Sequence, residues 1–409
     1  MKIPLSKPDI GGREIELVTQ VLRSGRLSMG PMLEEFEAKF AEHAGRRYAI
    51  AVSSGTAALH LCVAALGVGP KDEVITTPFT FVASTNCILY EQATPSFVDI
   101  DPVTLNLDAA LMRQTLQRDY MPDKGGKRLV NRLNGRTLRA ILPVHVFGLP
   151  CDMLTILQLA SEFGLFVVED ACEALGARLS GRRAGTMSHA AAFAFYPNKQ
   201  MTTGEGGMVV TDDARVAEFC RAVRNQGRDS SASWLRHEYM GFNYRLSEIH
   251  CALGIAQLER IDEFLAARAA VADAYTQMLG AVPEIGLPGN PPDSERSWFT
   301  YVIQLKGSDG PALRERLIAG LRAKGIECQA YFPCVHRQPY MEDFRMLPQR
   351  SLRLAESASA RCLALPMFSS MTRKEVSEVC GAIREVLAER PAARVRRRRT
   401  LHLRVRGAA

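Results

Sequence analysis

The chain predicts an α/β fold, a mainly parallel sheet flanked by helices with a smaller C-terminal α+β domain, and three observations carry that expectation. Short apolar runs alternate with segments of helical spacing from about residue 47 to 211, the rhythm of βαβ units. Small polar residues stand where such a run ends, as in "AVSSGTAALHL". Past residue 246 the alternation stops, and a long helical segment, a Pro/Gly-rich linker and a shorter mixture of strands and helices follow.

Two helical segments open the chain, around 12–24 and 31–44, joined by "RSGRLSMGP". The strand "RYAIAVS" runs into the helix "SGTAALHLCVAALGV". "DEVITTP" is the next strand, a helix spans "TFVASTNCILYEQ", the apolar run "TPSFVDID" follows, and another helix begins after "LNLD". The stretch 119–138, "DYMPDKGGKRLVNRLNGRTL", breaks the rhythm with Gly-Gly, Asn-Gly and several bases, and reads as a long surface excursion. The pattern resumes with "LRAILPVHVFG", the helix "MLTILQLASEFG" and the strand "LFVVEDA". "AAAFAFYP" and "GGMVVTDD" add two short strands with a turn between them that contains Lys199.

From 246 the spacing predicts one long helix, "LSEIHCALGIAQLERIDEFLAARAAVADAYTQML", and then the linker "VPEIGLPGNPPD". The strand "FTYVIQL", a helix near 311–324, an extended piece around 326–332 and helices near 351–362 and 372–387 complete the second unit. The expected division is a large domain over 1–250, a small one over 251–388 and a basic, disordered tail over 389–409. A chain of 409 residues has room for two cores.

Charged residues make up 23% and hydrophobic ones 47%, the profile of a soluble globular protein. No segment approaches the roughly 20 apolar residues of a membrane helix, and the start has no signal-like stretch, so a cytoplasmic location is expected. The ten cysteines are scattered through apolar contexts without metal-site spacing, and are expected as free buried thiols with no metal. Net charge is +7, but residues 390–409 hold eight arginines and no acid, so the other 389 residues carry about −1. Arginines alone give unspecific phosphate attraction, and the tail implies neither a membrane nor a specific nucleic-acid partner. If the tail were instead the working part of a binding protein, its deletion would abolish function; a catalytic body would survive it.

Lys199, in "FAFYPNKQMTTGEGG", has no acidic neighbour within five positions. A lysine held apart in this way suits Schiff-base chemistry with a carbonyl, for which pyridoxal phosphate is the commonest cofactor. That cofactor needs an anion beside its pyridine nitrogen and a cradle for its phosphate. Asp170 ends the strand "LFVVED", where open α/β sheets place ligands; one of Glu169 and Asp170 capping the next helix is the plain alternative. The junction "SSGTAAL" would offer N–H groups at a helix N-terminus, although Ser and Thr also cap helices routinely.

Together these segments resemble the fold-type I, aspartate aminotransferase-like enzymes, and in wording the DegT/DnrJ/EryC1/StrS sugar aminotransferases. The likeness spans about 3–388 except 119–138, through "SGRLSMGP", "SSGTAALHL", "TPFTFVAS", "ATPSFVDID", "VHVFGLPCDM", "VEDACEALGA", "FYPNKQMTTGEGGMVVTDD" and "GFNYRLSEIHCALG". It implies a fold-type I transferase whose Lys199 holds pyridoxal phosphate and shuttles a proton, and whose Asp170 pairs with the pyridine nitrogen. Thr56 and Ala57 would bind the phosphate, Phe81 would lie against the ring, and Glu173 would lie close to the cofactor. Asn243 would reach the partner's phosphate across a homodimer with shared active sites. His336 and Tyr331 would stand near the substrate.

Two details qualify the likeness. Many relatives carry a serine, a phosphate donor, where this chain has Ala194; and a branch that deoxygenates sugars has histidine where this chain keeps Lys199. The glycines 204, 206 and 207 would allow a φ > 0 backbone beside the cofactor, or equally are the hairpin turn that the fold itself requires. The implied activity is transfer of an amine from an amino acid, L-glutamate, to a nucleotide-linked keto-sugar, at C3 or C4. A keto-cyclitol or aminobenzoate precursor as acceptor stays open. Arg26, Arg245 and the bases of 119–138 are the candidates for meeting a diphosphate.

Overall fold

The computed structural model of the chain describes residues 2–126, 128–228, 236–342, 344 and 351–389; the arginine tail at 390–409 lies outside them. Helices α1 (Gly12–Ser24) and α2 (Pro31–Ala44) end at Gly25 and Gly45, left-handed at φ +67° and +70°, a backbone that glycine adopts without clash. Pro31 opens α2 where a missing N–H is harmless. The buried Glu248 carboxylate accepts from the N–H groups of Gly30, Met32 and Leu33 at the same helix start.

Then β1 (Tyr48–Val52) leads into α3 (Gly55–Ala65), β2 (Asp72–Thr76), α4 (Ala83–Tyr90), β3 (Thr94–Phe97) and α5 (Ala109–Asp119). The expected surface excursion is instead folded. Strands β4 (Tyr120–Pro122) and β5 (Leu129–Asn131) pair as a hairpin, and β5 also pairs with the start of β6 (Thr137–Ile141). Buried Glu73 pins it, accepting from the Tyr120 hydroxyl at 2.6 Å, Asn131 Nδ2 at 3.0 Å and Asn134 Nδ2 at 2.6 Å.

Next come α6 (Met153–Phe163), β7 (Phe166–Asp170), β8 (Arg178–Leu179), β9 (Arg182–Arg183), β10 (Ala190–Ala194), β11 (Gly207–Thr211) and α7 (Ala214–Arg224). The large sheet runs β1-β11-β10-β7-β6-β2-β3, with β5 and β4 attached at β6. The pairs from β10 to β3 are parallel, while β11 is antiparallel to both β1 and β10. Strand alternation sends Ile50 and Val52 into one core with α3, and Ala49 and Ala51 into a second core with α1 and α2.

The helix expected from 246 to 279 is broken at Arg260, φ −112° and ψ 9°, into α8 (Glu248–Glu259) and α9 (Ile261–Leu279). There the Arg260 guanidinium meets Asp9 at 3.3 Å, Glu263 at 3.2 Å and Glu14 at 3.6 Å. After β12 (Ile285–Gly286), β13 (Ser294–Glu295), β14 (Tyr301–Leu305), α10 (Gly310–Ala323) and α11 (Arg353–Arg361), β15 (Cys362–Leu365) and α12 (Arg373–Ala388) finish the described chain. β15, unforeseen as a strand, is a four-residue apolar run that periodicity cannot tell from a helix end.

Strands β12, β14 and β15 form a separate sheet over a third core that contains Tyr275, Tyr301, Leu317 and Ile383. Ile3 belongs to that core too. Residue 3 bridges Ile326, the Leu5 N–H donates to Glu327 Oε2 at 2.7 Å, and the Met367 N–H donates to the Leu5 carbonyl at 2.9 Å. Cys251, Ala252 and Ile255 of α8 pack in the second core. All ten cysteines are free. Among the described residues no helix is long and apolar enough to cross a membrane, and no cluster of three or more His, Cys, Asp or Glu side chains is set to hold a metal.

Candidate active site

The carboxyl ends of β1, β7 and β10 meet at one end of the large sheet, with Gly207 of β11 paired to both Val52 and Ala194. At the end of β7, strand alternation turns two adjacent carboxylates to opposite faces. Glu169 is fully buried and accepts from Gly185 N–H at 2.7 Å, Met187 N–H at 2.8 Å and Ser188 Oγ at 2.8 Å, with His145 Nε2 at 3.0 Å. It holds scaffold together. Asp170, 4% exposed, accepts from Ser84 Oγ at 2.7 Å and the Cys172 N–H at 3.1 Å, and has no cation partner among the described residues. Two neutral donors leave lone pairs on this carboxylate for a cationic N–H.

Lys199 lies in the turn from β10 to β11. Its Nζ is 3.5 Å from Glu173 Oε1 and 4.0 Å from the centroid of the Phe299 ring. The other Glu173 oxygen accepts from the Phe147 N–H at 2.9 Å. Burial pushes the Glu173 carboxyl above the usual carboxylate range; Asp170 adds to that, and the Lys199 charge opposes it. The lysine that lacks an acid nearby in sequence thus has one in space.

Helix α3 starts directly beside this group. Ser54 Oγ accepts from the Ala57 N–H at 3.1 Å, so the Ala57 donor expected for phosphate is already engaged. The Gly55 and Thr56 N–H groups have no acceptor among the described residues, and Thr56 is half-buried. Packing here is tight: a Cβ at Gly55 would come within 2.5 Å of the Ala194 Cβ, and one at Gly207 would overlap the Ser54 carbonyl. Of the three turn glycines only Gly204 has positive φ, +81°; Gly206 and Gly207 are required by close approach instead.

The remaining expected residues divide. Phe81 is 60% exposed just before α4, and its carbonyl oxygen lies 3.3 Å from the Ser84 Oγ that donates to Asp170. Tyr331 stacks on Phe332 at 4.9 Å and on Phe147 at 6.4 Å. Burial pushes its hydroxyl up, with the Glu173 charge adding to the effect, which ties Tyr331 to the lysine group. Asn243 is exposed, next to Tyr244, whose carbonyl accepts from the Ser53 N–H at the mouth of α3.

His336 does not join. Its side chain is fully buried, with Nε2 3.0 Å from Glu356 and the ring against Phe97. Arg26 is turned to the Met29 carbonyl, and Arg245 to Asn225. Of the 119–138 bases, Lys127 lies outside the described residues, and Lys124, Arg128, Arg132 and Arg136 ride on a hairpin fixed to the amino ends of β2 and β6, at the end of the sheet opposite Asp170. Ser84, Phe299 and Arg268 were not foreseen; Arg268 Nη2 donates to the Lys199 carbonyl at 2.9 Å. Ser84 sits within a quoted motif, whereas the other two carry no local signal.

A sequence profile of the DegT/DnrJ/EryC1/StrS aminotransferase family matches residues 8–384. The chain belongs to that family. It is 37% identical to a GDP-perosamine synthase of Caulobacter vibrioides, over 94% of this chain and 98% of the relative. With the spore coat polysaccharide biosynthesis protein SpsC of Bacillus subtilis it shares 35% identity, over 94% and 97% of the two chains. The solved structure of S. venezuelae DesV superposes with a TM-score of 0.81 at 36% identity, covering 92% of this chain and 95% of that one. The protein is an aminotransferase with the fold of that class, and its cofactor is pyridoxal phosphate. The side chains fit that group: a buried carboxylate without a cation, open N–H groups at a helix start, and a buried Asn198 Oδ1 with no donor among the described residues, next to the lysine.

Proposed function

We propose that this aminotransferase moves the amine of L-glutamate to a keto-sugar carried on a nucleoside diphosphate, in the cytoplasm, as a homodimer with shared sites. The observation that carries the acceptor class is the likeness, over 94% of the chain, to a relative named for an amino sugar on GDP.

When bound, pyridoxal phosphate supplies an aldehyde that condenses with amines and a ring that takes up the electron pair left by a departing α-proton. The chain's own residues would do the rest. Lys199 Nζ would anchor the aldehyde and then, set free, carry the proton between substrate carbon and cofactor. Asp170, held by Ser84, would keep the ring nitrogen protonated, which strengthens its electron demand. The Gly55 and Thr56 N–H groups and the Thr56 hydroxyl would hold the phosphate, favoured by the helix dipole. Glu173, next to Lys199, would accept a hydrogen bond from the free amine.

Exposed apolar side chains support the second subunit: Phe81 at 60%, Tyr196 in the lysine turn at 52% and Met240 near Asn243 at 88%. The packing of α8 in the second core supports a passage between the two units along α9 rather than at 250. Loading the protein with pyridoxamine phosphate and offering GDP-, dTDP- and UDP-linked keto-sugars tests the reading. Amine transfer to at least one of them is expected. Turnover only of an unlinked keto-cyclitol or aminobenzoate precursor would sink it.

A further inference from the structure

Lys199 has a seat, and the residues that build it lie far away in sequence. The Nζ rests over the Phe299 ring, with Glu173 on its other contact. Phe299 is 4% exposed and lies just ahead of β14, the middle strand of the small sheet, with Thr300 between. Arg268 on α9 holds both lysine and ring by their backbones. Its Nη2 donates to the Lys199 carbonyl at 2.9 Å, while Nη1 donates to the Phe299 carbonyl at 3.2 Å and the Trp298 carbonyl at 3.3 Å.

Arg268 is 3% exposed and has no carboxylate partner among the described residues. Burial lowers its guanidinium to about 10, which still leaves it charged at neutral pH. A buried cation without a counter-ion is costly. The return is geometric: one rigid fork fixes the segment that carries the lysine to the segment that carries the ring, and lysine's single ammonium cannot span both.

We propose that Phe299, fixed by Arg268, is a positioning residue whose ring receives the Lys199 ammonium whenever that amine is not bonded to the cofactor. The inference rests on the reading of Lys199 as the cofactor lysine. An aromatic face attracts a cation through its quadrupole, and a buried one does so without competition from water. The ring at 4.0 Å and Glu173 at 3.5 Å both contact Nζ, so the freed amine stays near the bond it has to re-form.

The test uses full-length protein loaded with pyridoxamine phosphate, which leaves Lys199 free, and reads the pH dependence of its acylation by peptide mass. Phe299→Leu keeps apolar bulk and removes the face; Phe299→Tyr keeps the face. We expect Phe299→Leu to lower the Lys199 labelling midpoint by about one pH unit and kcat by about tenfold, with KM within about twofold. Phe299→Tyr should restore both, and Arg268→Lys should lower the midpoint in the same direction. Folded Phe299→Leu protein with an unshifted midpoint would overturn the seat, even if Arg268→Lys fails to fold. Wild-type protein that shows no borohydride-stable pyridoxal phosphate adduct on Lys199 would overturn the cofactor-lysine reading itself, and the seat with it.

Discussion

Glu73 and Asp170 are buried carboxylates at opposite ends of one sheet, neither with a cation among the described residues, and they differ in how fully neutral donors surround them. Glu73 takes one hydroxyl and the amides of Asn131 and Asn134. Asp170 takes one hydroxyl and one backbone N–H. The first is a finished joint, where any ligand would have to displace a donor. The second has capacity left, and it sits where a helix start and a lysine also point. A buried carboxylate is therefore no sign of a site by itself; its unfilled capacity is.

Substitutions can break or sharpen this contrast. Lys199→Ala should abolish turnover with circular dichroism unchanged, and Lys199→Arg should behave alike, because a guanidinium does not form the imine; retained transamination in either would contradict the assignment. Asp170→Asn should cut kcat on the order of a hundredfold, since a neutral amide cannot balance a pyridinium. Glu173→Gln should cost about tenfold at neutral pH and change the pH profile. Burial favours the neutral Glu173 carboxyl, so activity that needs the carboxylate rises with pH above the ordinary glutamate range. That acid limb of kcat/KM should vanish in the glutamine variant. Stability carries the opposite sign: a folded pKa above the unfolded one means stability is lost as pH rises through it, so Glu173→Gln should melt higher than wild type at neutral pH.

Smaller effects test the cradle and the joint. Ala194→Ser adds a hydroxyl beside Gly55 and should tighten pyridoxal phosphate binding about fivefold, read by cofactor titration. Glu73→Ala should leave kcat per folded molecule within about twofold while lowering unfolding free energy by about 2–3 kcal/mol, because buried donors lose their acceptor. A turnover defect there comparable to that of Asp170→Asn would erase the distinction between the two carboxylates.

Local signals carried much of this. Lys199 stood out because an isolated charge follows an apolar strand, and alternation along "FVVED" makes Glu169 and Asp170 face opposite ways. Only the fold says which face holds the ligand. Phe299 looks like any strand-edge aromatic and Arg268 like any helix-surface base, since their meaning comes from partners 100 and 69 positions away. His336 stood in a polar-looking segment, yet the partner that draws it inward, Glu356, is on a helix 20 residues on. The hairpin over 119–138 is hidden in the sequence for the same reason: its turns are written locally, but the carboxylate that anchors it belongs to β2.

The pairing of residues 2–5 with 325–327 and 367 has a consequence for how the molecule is made. One of those bonds spans 322 positions, so during synthesis Ile3 must wait for most of the polypeptide to leave the ribosome before its neighbour exists. The large sheet can assemble from earlier segments, but the small unit closes later, around a piece of chain made more than 300 residues before its partners.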